Sequence, residues 1–385
     1  MRTNRKSKFI FGLALFFLCI SFITFGQASG NKQIQTVFAQ LVMAYGSAKT
    51  APQLIIVNDN PKQIPPAKYF PDPKPTIKVD AYLFTICRSF GKDSLNALSI
   101  VLSHELAHYY SDHTFCSDYA YVLQGKNKNL SDKLKGISKG EMMSKETEAD
   151  QKGFFYAAAA GYSPFNMQSV LLDEIYAHYS LPDSVQGYPT RQERKIIAHA
   201  SEEKANQLYT TFTAGLTAME EQDYNNAIVD FETANSYIPF RENFNNIGVA
   251  RSRKALELIK PDSIAKKHPG RFLYPIELDY SSRLNQDEDR GLDRDNQEEI
   301  DSLLKFARKD FQQAIRLDPG YTKSYINLAC VFDLLGNSEA AIGTIKELPL
   351  EEQKSKDAQR ILAIAYYHTG REKEAEEIWD ELKIK

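Results

Sequence analysis

Ala307, Ala341 and Ala375 fall at equal intervals of 34 residues, and each is followed four positions later by a bulky apolar residue: Phe311, Ile345 and Trp379. A fixed period of this length constrains the fold strongly, because each repeat is one small unit that buries its apolar face only against its neighbours. Positions i and i+4 share a helix face, so each alanine and the large residue after it lie together on one side of a helix. Ala227 and Phe231 repeat the pair earlier, but the interval from Ala227 to Ala307 is 80, one period of 34 with 46 further residues. We read this as one repeat split by an insertion, residues 260–299, between its two helices. Gly215, Gly248, Ala329 and Ala363 supply the small residues of the matching first helices, and Pro239 and Pro319 end two of the units.

This pattern resembles the tetratricopeptide repeat. The resemblance implies an α-solenoid over residues 204–385, whose curved surface holds extended or partly folded protein segments or docks partner proteins. Inside the insertion, DEDRGLDRDN places Asp287, Asp289, Asp293 and Glu298 at calcium-loop positions. The turn does not fit, because Gly291 falls where a ligand is wanted and Leu292 where the glycine belongs. The run reads instead as a solvated charged loop.

A chain of 385 residues is too long for one typical core and calls for two domains. Its first 28 residues form neither. Arg2, Arg5, Lys6 and Lys8 precede an uncharged apolar run from Phe9 to Phe25, and small residues follow at Gly26, Ala28 and Ser29. Basic, apolar, small is the order of a secretory signal peptide. An uncleaved N-terminal anchor is the competing reading, since the apolar run stands at the lower edge of a membrane span. Either way the expectation is an exported protein, periplasmic or envelope-associated. Cleavage removes four positive charges and takes the net charge from −3 to −7, which argues against nucleic acid as a partner. Of the remaining cysteines, Cys87 and Cys116 flank the candidate catalytic helix and are expected to be able to pair in an oxidising compartment. Cys330, in a repeat helix, reads as a buried apolar residue.

Residues 29–203 read as α+β with helices dominant, within a chain that is mostly α. QLIIVNDN, from Gln53 to Asn60, is expected to be a strand ending in a turn. PKQIPPAKYFPDPKP then reads as a proline-rich loop and TIKVDAYLF as a second strand. Asp93 is expected to cap a helix in which Leu95, Leu98, Val101 and Leu102 recur at helical spacing. A later helix, from about Met142 to Ala160, is stopped by Gly161 and Pro164.

The first of these helices carries His104-Glu105-Leu106-Ala107-His108. Imidazoles at i and i+4 reach one metal ion together, and Glu105, next to the first, is placed to act as general base on a water at that ion. A catalytic zinc takes a third protein ligand and keeps one position open. Downstream, ETEAD presents Glu146 and Asp150 four residues apart on one face: Glu146 as the third ligand, Asp150 as a hydrogen-bond partner that orients a ligand histidine. His113 lies five residues beyond His108, about 140° around a continuing helix, and does not read as a ligand. His178, His199, His268 and His368 have no metal spacing.

SIVLSHELAHYYSDH, then E-x-E-A-D, then AGYSP, resembles the gluzincin metallopeptidases that include the CAAX prenyl endopeptidases and Oma-type mitochondrial proteases. In architecture the chain is similar to the periplasmic β-barrel assembly-enhancing proteases, with signal, catalytic domain and tetratricopeptide repeats in that order. The resemblance implies a zincin-type fold, one Zn2+ on His104, His108 and Glu146, catalytic Glu105 and orienting Asp150. It also implies protein or peptide substrates and contact with membrane-associated assembly machinery. Relatives usually carry a His-Pro pair near the end of the catalytic domain, whereas this chain has Tyr188-Pro189. Tyr188 is read either as a donor to the developing oxyanion or as a partly buried structural tyrosine, and Arg194 as a partner of carboxylates near the site. The expected function is zinc-dependent hydrolysis of peptide bonds in exported proteins. The alternative is a repeat-based chaperone or scaffold with weak or latent proteolysis.

Overall fold

The computed structural model describes residues 30–47, 49–58, 66–113, 139–184, 189–260, 263–280 and 297–384. The chain is mostly helical, and its contacts divide it into two units: Met1–Tyr45 with Ala51–Glu203, and Gly46–Thr50 with Lys204–Lys385. The proposed signal segment, Cys116, Tyr188 and the acidic run from Asp287 to Asp295 lie outside the described residues. No helix among the described residues is long and apolar enough to cross a membrane.

The first unit opens with helix α1 (30–45), which buries Ile34, Val37, Phe38, Leu41 and Tyr45, one stripe at helical spacing. A small sheet follows, with β1 (Gln53–Val57), β2 (Ala67–Phe70) and β3 (Thr76–Asp80) in the order β1-β3-β2. β1 runs parallel to β3, with Gln53 opposite Thr76, and β2 antiparallel to it, with Ala67 opposite Val79. Two local expectations fail here. The stretch expected to be a proline-rich loop contains β2, because Ala67 and Tyr69 are apolar on one face and pair with β3. The expected strand TIKVDAYLF stops at Asp80: its carboxylate accepts the N–H of Tyr82 at 3.1 Å and starts α2 (Ala81–Arg88).

Helix α3 (Ser94–Tyr110) runs through the centre of the first unit, buried on nearly every side from Ala97 to Tyr109. Asp93 precedes it but caps no backbone N–H, contrary to expectation; its carboxylate accepts from the Asn96 side chain at 3.1 Å instead. Helix α4 (Lys139–Ala159) packs along α3 and ends at Gly161, whose φ of 91° only glycine adopts without strain. Helix α5 (Gln168–Tyr179) returns to α2, where the Tyr179 hydroxyl donates to Asp80 at 2.9 Å. Cys87, on α2, is a buried free thiol whose pKa burial pushes up to about 12; Cys116, its expected partner, lies outside the described residues.

The second unit shares helix α6 (Arg191–Glu220) with the first and is otherwise built of helix pairs. The last part of α6 packs on α7 (Tyr224–Tyr237), with Gly215 under the ring of Phe231. Helix α8 (Arg241–Leu258) packs on α10 (Gln297–Leu317), and the short α9 (Ser263–Lys267) lies between them in sequence. Helix α11 (Thr322–Leu334) pairs with α12 (Ser338–Lys346). After the one-turn α13 (Leu350–Gln353), α14 (Lys356–His368) pairs with α15 (Glu372–Glu381). Ala227, Ala307, Ala341 and Ala375, and after each of them Phe231, Phe311, Ile345 and Trp379, are all fully buried. Cys330 is buried in α11 as an apolar residue, as expected.

Candidate metal centre

Three residues of α3 and two of α4 are brought together in the first unit, none more than 7% exposed: His104, Glu105 and His108 with Glu146 and Asp150. The approach of the two helices is permitted by Gly153, where an added Cβ would meet the backbone N of His104 at 3.1 Å and its Cα at 3.2 Å. Gly153 stands seven residues after Glu146 and three after Asp150, on the same face of α4. The small residue therefore sets the distance at which both carboxylates face the histidines.

His104 Nε2 and His108 Nε2 lie 3.0 Å apart. Glu146 closes the group, with Oε2 at 3.3 Å from His104 Nε2 and Oε1 at 3.7 Å from His108 Nε2. All three donor atoms lie within 4.8 Å of one another, and among the described residues this is the one histidine, cysteine and carboxylate group so arranged. The cluster could hold a metal ion.

The hydrogen bonds behind the rings settle which nitrogen faces the cluster. Asp150 Oδ1 stands 2.8 Å from His104 Nδ1; an ionised carboxylate only accepts, so the proton of a neutral His104 sits on Nδ1 and Nε2 presents a lone pair. On the other ring, His108 Nδ1 lies 2.9 Å from His113 Nδ1, and His113 Nε2 lies 3.3 Å from Glu148 Oε2. Glu148 accepts from His113 Nε2–H, which leaves His113 Nδ1 an acceptor and makes His108 Nδ1 the donor. His108 Nε2 therefore presents a lone pair as well. Two lone pairs and a carboxylate directed at one point are an arrangement that a cation stabilises. Glu148 is held well below the usual carboxylate range, at about 2, first by the hydrogen bond from His113 and then by Lys152.

The placement of His113 is decided by how α3 ends. Asp112 takes a φ of 54°, in the left-handed region, and reverses the chain. The N–H of Asp112 then reaches the Tyr109 carbonyl at 3.2 Å and that of His113 the His108 carbonyl at 2.9 Å. This pair of bonds is a Schellman motif, which brings the residue two beyond the cap over the last turn. Extending the helix in the sequence put His113 about 140° away from His108; the reversal folds it back against that residue. The signal for it, a short polar residue able to adopt the left-handed conformation just ahead of a histidine, is weak.

Glu105 does not face solvent. Its Oε2 accepts the backbone N–H of Tyr69 in β2 at 2.7 Å, which fixes the carboxylate's orientation. Lys68, beside it in β2, has its ammonium pKa lowered by burial, a shift that the Glu105 carboxylate opposes. Arg194, on α6, is 1% exposed and donates to Asp150 Oδ2 at 3.1 Å, with Glu146 Oε2 3.8 Å from its Nη2. It therefore pairs with the carboxylates of the site. His178, His199 and His268 stay outside the cluster, and His368 bonds Asp333 at 2.9 Å in the second unit. No family model and no curated protein sequence matches this chain.

Proposed function

We infer that the protein is a zinc-dependent endopeptidase acting on exported proteins, with a zincin-type catalytic unit followed by a tetratricopeptide solenoid. The observation that carries this reading is the convergence of His104, His108 and Glu146 within 4.8 Å, with Glu105 next in sequence to one of them. Two histidines from one helical turn and one carboxylate are a catalytic zinc set, since a structural zinc takes four protein ligands. Bound there, zinc supplies a Lewis acid that polarises a peptide carbonyl and acidifies water. Glu105, held through Oε2 by the Tyr69 N–H, takes the proton of the attacking water and returns it to the leaving amine. Asp150 and Arg194 hold the His104 ring, and His113 with Glu148 holds the His108 ring. The fully buried pairs of an alanine and a large apolar residue at 34-residue spacing support the solenoid reading.

Metal analysis of the mature protein, coupled to casein digestion, tests this. One zinc per chain is expected, with cleavage abolished by chelation and by Glu105→Gln, the latter with zinc retained. Cleavage that survives chelation would sink the assignment. A zinc-replete wild type that leaves casein intact would favour the scaffold reading instead.

A further inference from the structure

Between α8 and α10 the chain does more than connect two helices. Residues 270–280 lie across the first helices of three successive pairs in the second unit, α14, α11 and α8 in that order. The Gly270 carbonyl accepts from Arg360 at 3.1 Å, and the Phe272 ring packs on Tyr367 and Trp379 at centroid distances of 5.2 and 5.7 Å. The Tyr274 hydroxyl then donates to Asp333 at 2.6 Å.

Two asparagines hold the rest. Asn327 takes both backbone groups of Glu277, accepting its N–H at 2.9 Å and donating to its carbonyl at 2.9 Å. Asn246 does the same for Asp279, at 2.7 and 2.8 Å. A carboxamide that offers an acceptor and a donor to one residue copies the edge of a neighbouring strand, and positions i and i+2 are the strand's own repeat. Between them Lys323 donates to the Leu278 carbonyl at 2.9 Å, and the Asp279 carboxylate accepts from the Tyr321 hydroxyl. Ile276 and Leu278, at alternate positions, are buried. Asn245 braces the ladder by accepting from Asn327 and Ser324, each at 2.9 Å.

We propose that this face is a receptor site for an extended peptide, that residues 270–280 occupy it in cis, and that a partner segment of the same chemistry replaces them. That chemistry is apolar residues at alternate positions followed by an acidic one. Three observations favour exchange over a permanent strap. The asparagines address backbone atoms, so they accept any extended sequence. The side chains that meet residues 277–279, Asn246, Asn327, Lys323 and Tyr321, are polar, and water satisfies them when the segment leaves. The pair α8–α10 closes on itself through Phe311 against Gly248 and does not depend on the strap. A tethered segment acts at an effective concentration of about a millimolar, so it masks the site against weak ligands. The proposal needs no metal and stands apart from the peptidase reading.

The test uses the full chain and a fluorescein-labelled synthetic peptide of residues 270–280, followed by anisotropy. A strap-release variant, Ile276→Asp with Leu278→Asp, is expected to bind the peptide at least ten-fold more tightly than wild type. Adding Asn246→Ala and Asn327→Ala to that variant should lose at least ten-fold. A release variant that keeps its helical circular dichroism and melting transition yet binds no peptide overturns the proposal, as does binding indifferent to the asparagines. Should the release variant not fold, hydrogen exchange on wild type decides. The amides of Glu277 and Asp279 should exchange at least ten-fold faster than the central amides of α8 and α11. Exchange of both only at the rate of global unfolding marks a permanent strap and refutes replacement.

Discussion

At His113 one imidazole touches another that faces the candidate metal cluster, and everything about its effect follows from which nitrogen carries the proton. Because His113 Nδ1 accepts from His108 Nδ1 at 2.9 Å, its loss frees His108 to turn or to protonate the nitrogen that should face the ion. His113→Ala is expected to lower zinc affinity about 10–100-fold, read by competition with a chromophoric chelator. His113→Asn, whose side-chain oxygen can still accept, should lose less. Unchanged affinity in the alanine variant would remove the orienting role. Glu148 gives a second prediction, in pH. Its pKa is held at about 2 from an ordinary 4.5, by His113 first. A carboxylate depressed on folding contributes stability that is complete above its unfolded pKa and lost as pH falls through the folded one. Between pH 4.5 and 2, the denaturation midpoint of wild type should therefore fall more steeply than that of Glu148→Gln; parallel curves would contradict the pairing.

Among the helices, two glycines set close approaches of different severity. At Gly248 an added Cβ would lie 2.7 Å from the Phe311 ring, which is fully buried and has nowhere to go. Alanine there gains about 1 kcal/mol of helix propensity against an overpacking cost of about 1–3 kcal/mol. Gly248→Ala should thus lower the urea midpoint, and a stabilised variant would contradict the crossing point read from the repeat. At Gly153 the nearest atom is backbone at 3.1 Å, so α4 shifts by a few tenths of an ångström and carries Glu146 with it. Gly153→Ala should weaken zinc binding several-fold, measured by the same competition, while helical content stays as in wild type. The small–large pairs were legible in sequence because the period is local and repeats. The start of α2 was not, since TIKVDAYLF alternates like a strand until the Asp80 carboxylate turns to the Tyr82 N–H. β2 was hidden among prolines because its pairing to β3 is a long-range choice.

For the molecule as a whole, the candidate metal cluster belongs to the first unit and the asparagine ladder to the second. Zinc at about 100 times its Kd should stabilise the folded state by about 2.7 kcal/mol. In hydrogen exchange this should appear as added protection of α3 and α4, with α11 to α15 unchanged; protection spread evenly, or absent from α3, would place the ion elsewhere. Helix-face rules act within a few residues, so spacing alone told that His104 and His108 share a face, that Glu146 and Asp150 share another, and that small residues recur every 34 positions. Which faces meet was a matter of tertiary packing. Only the folded chain turned His113 back through Asp112, anchored Glu105 on the Tyr69 N–H and laid residues 270–280 along two asparagines. Each of these joins atoms through a chain reversal or between separate elements, and no periodicity in the sequence encodes such a contact.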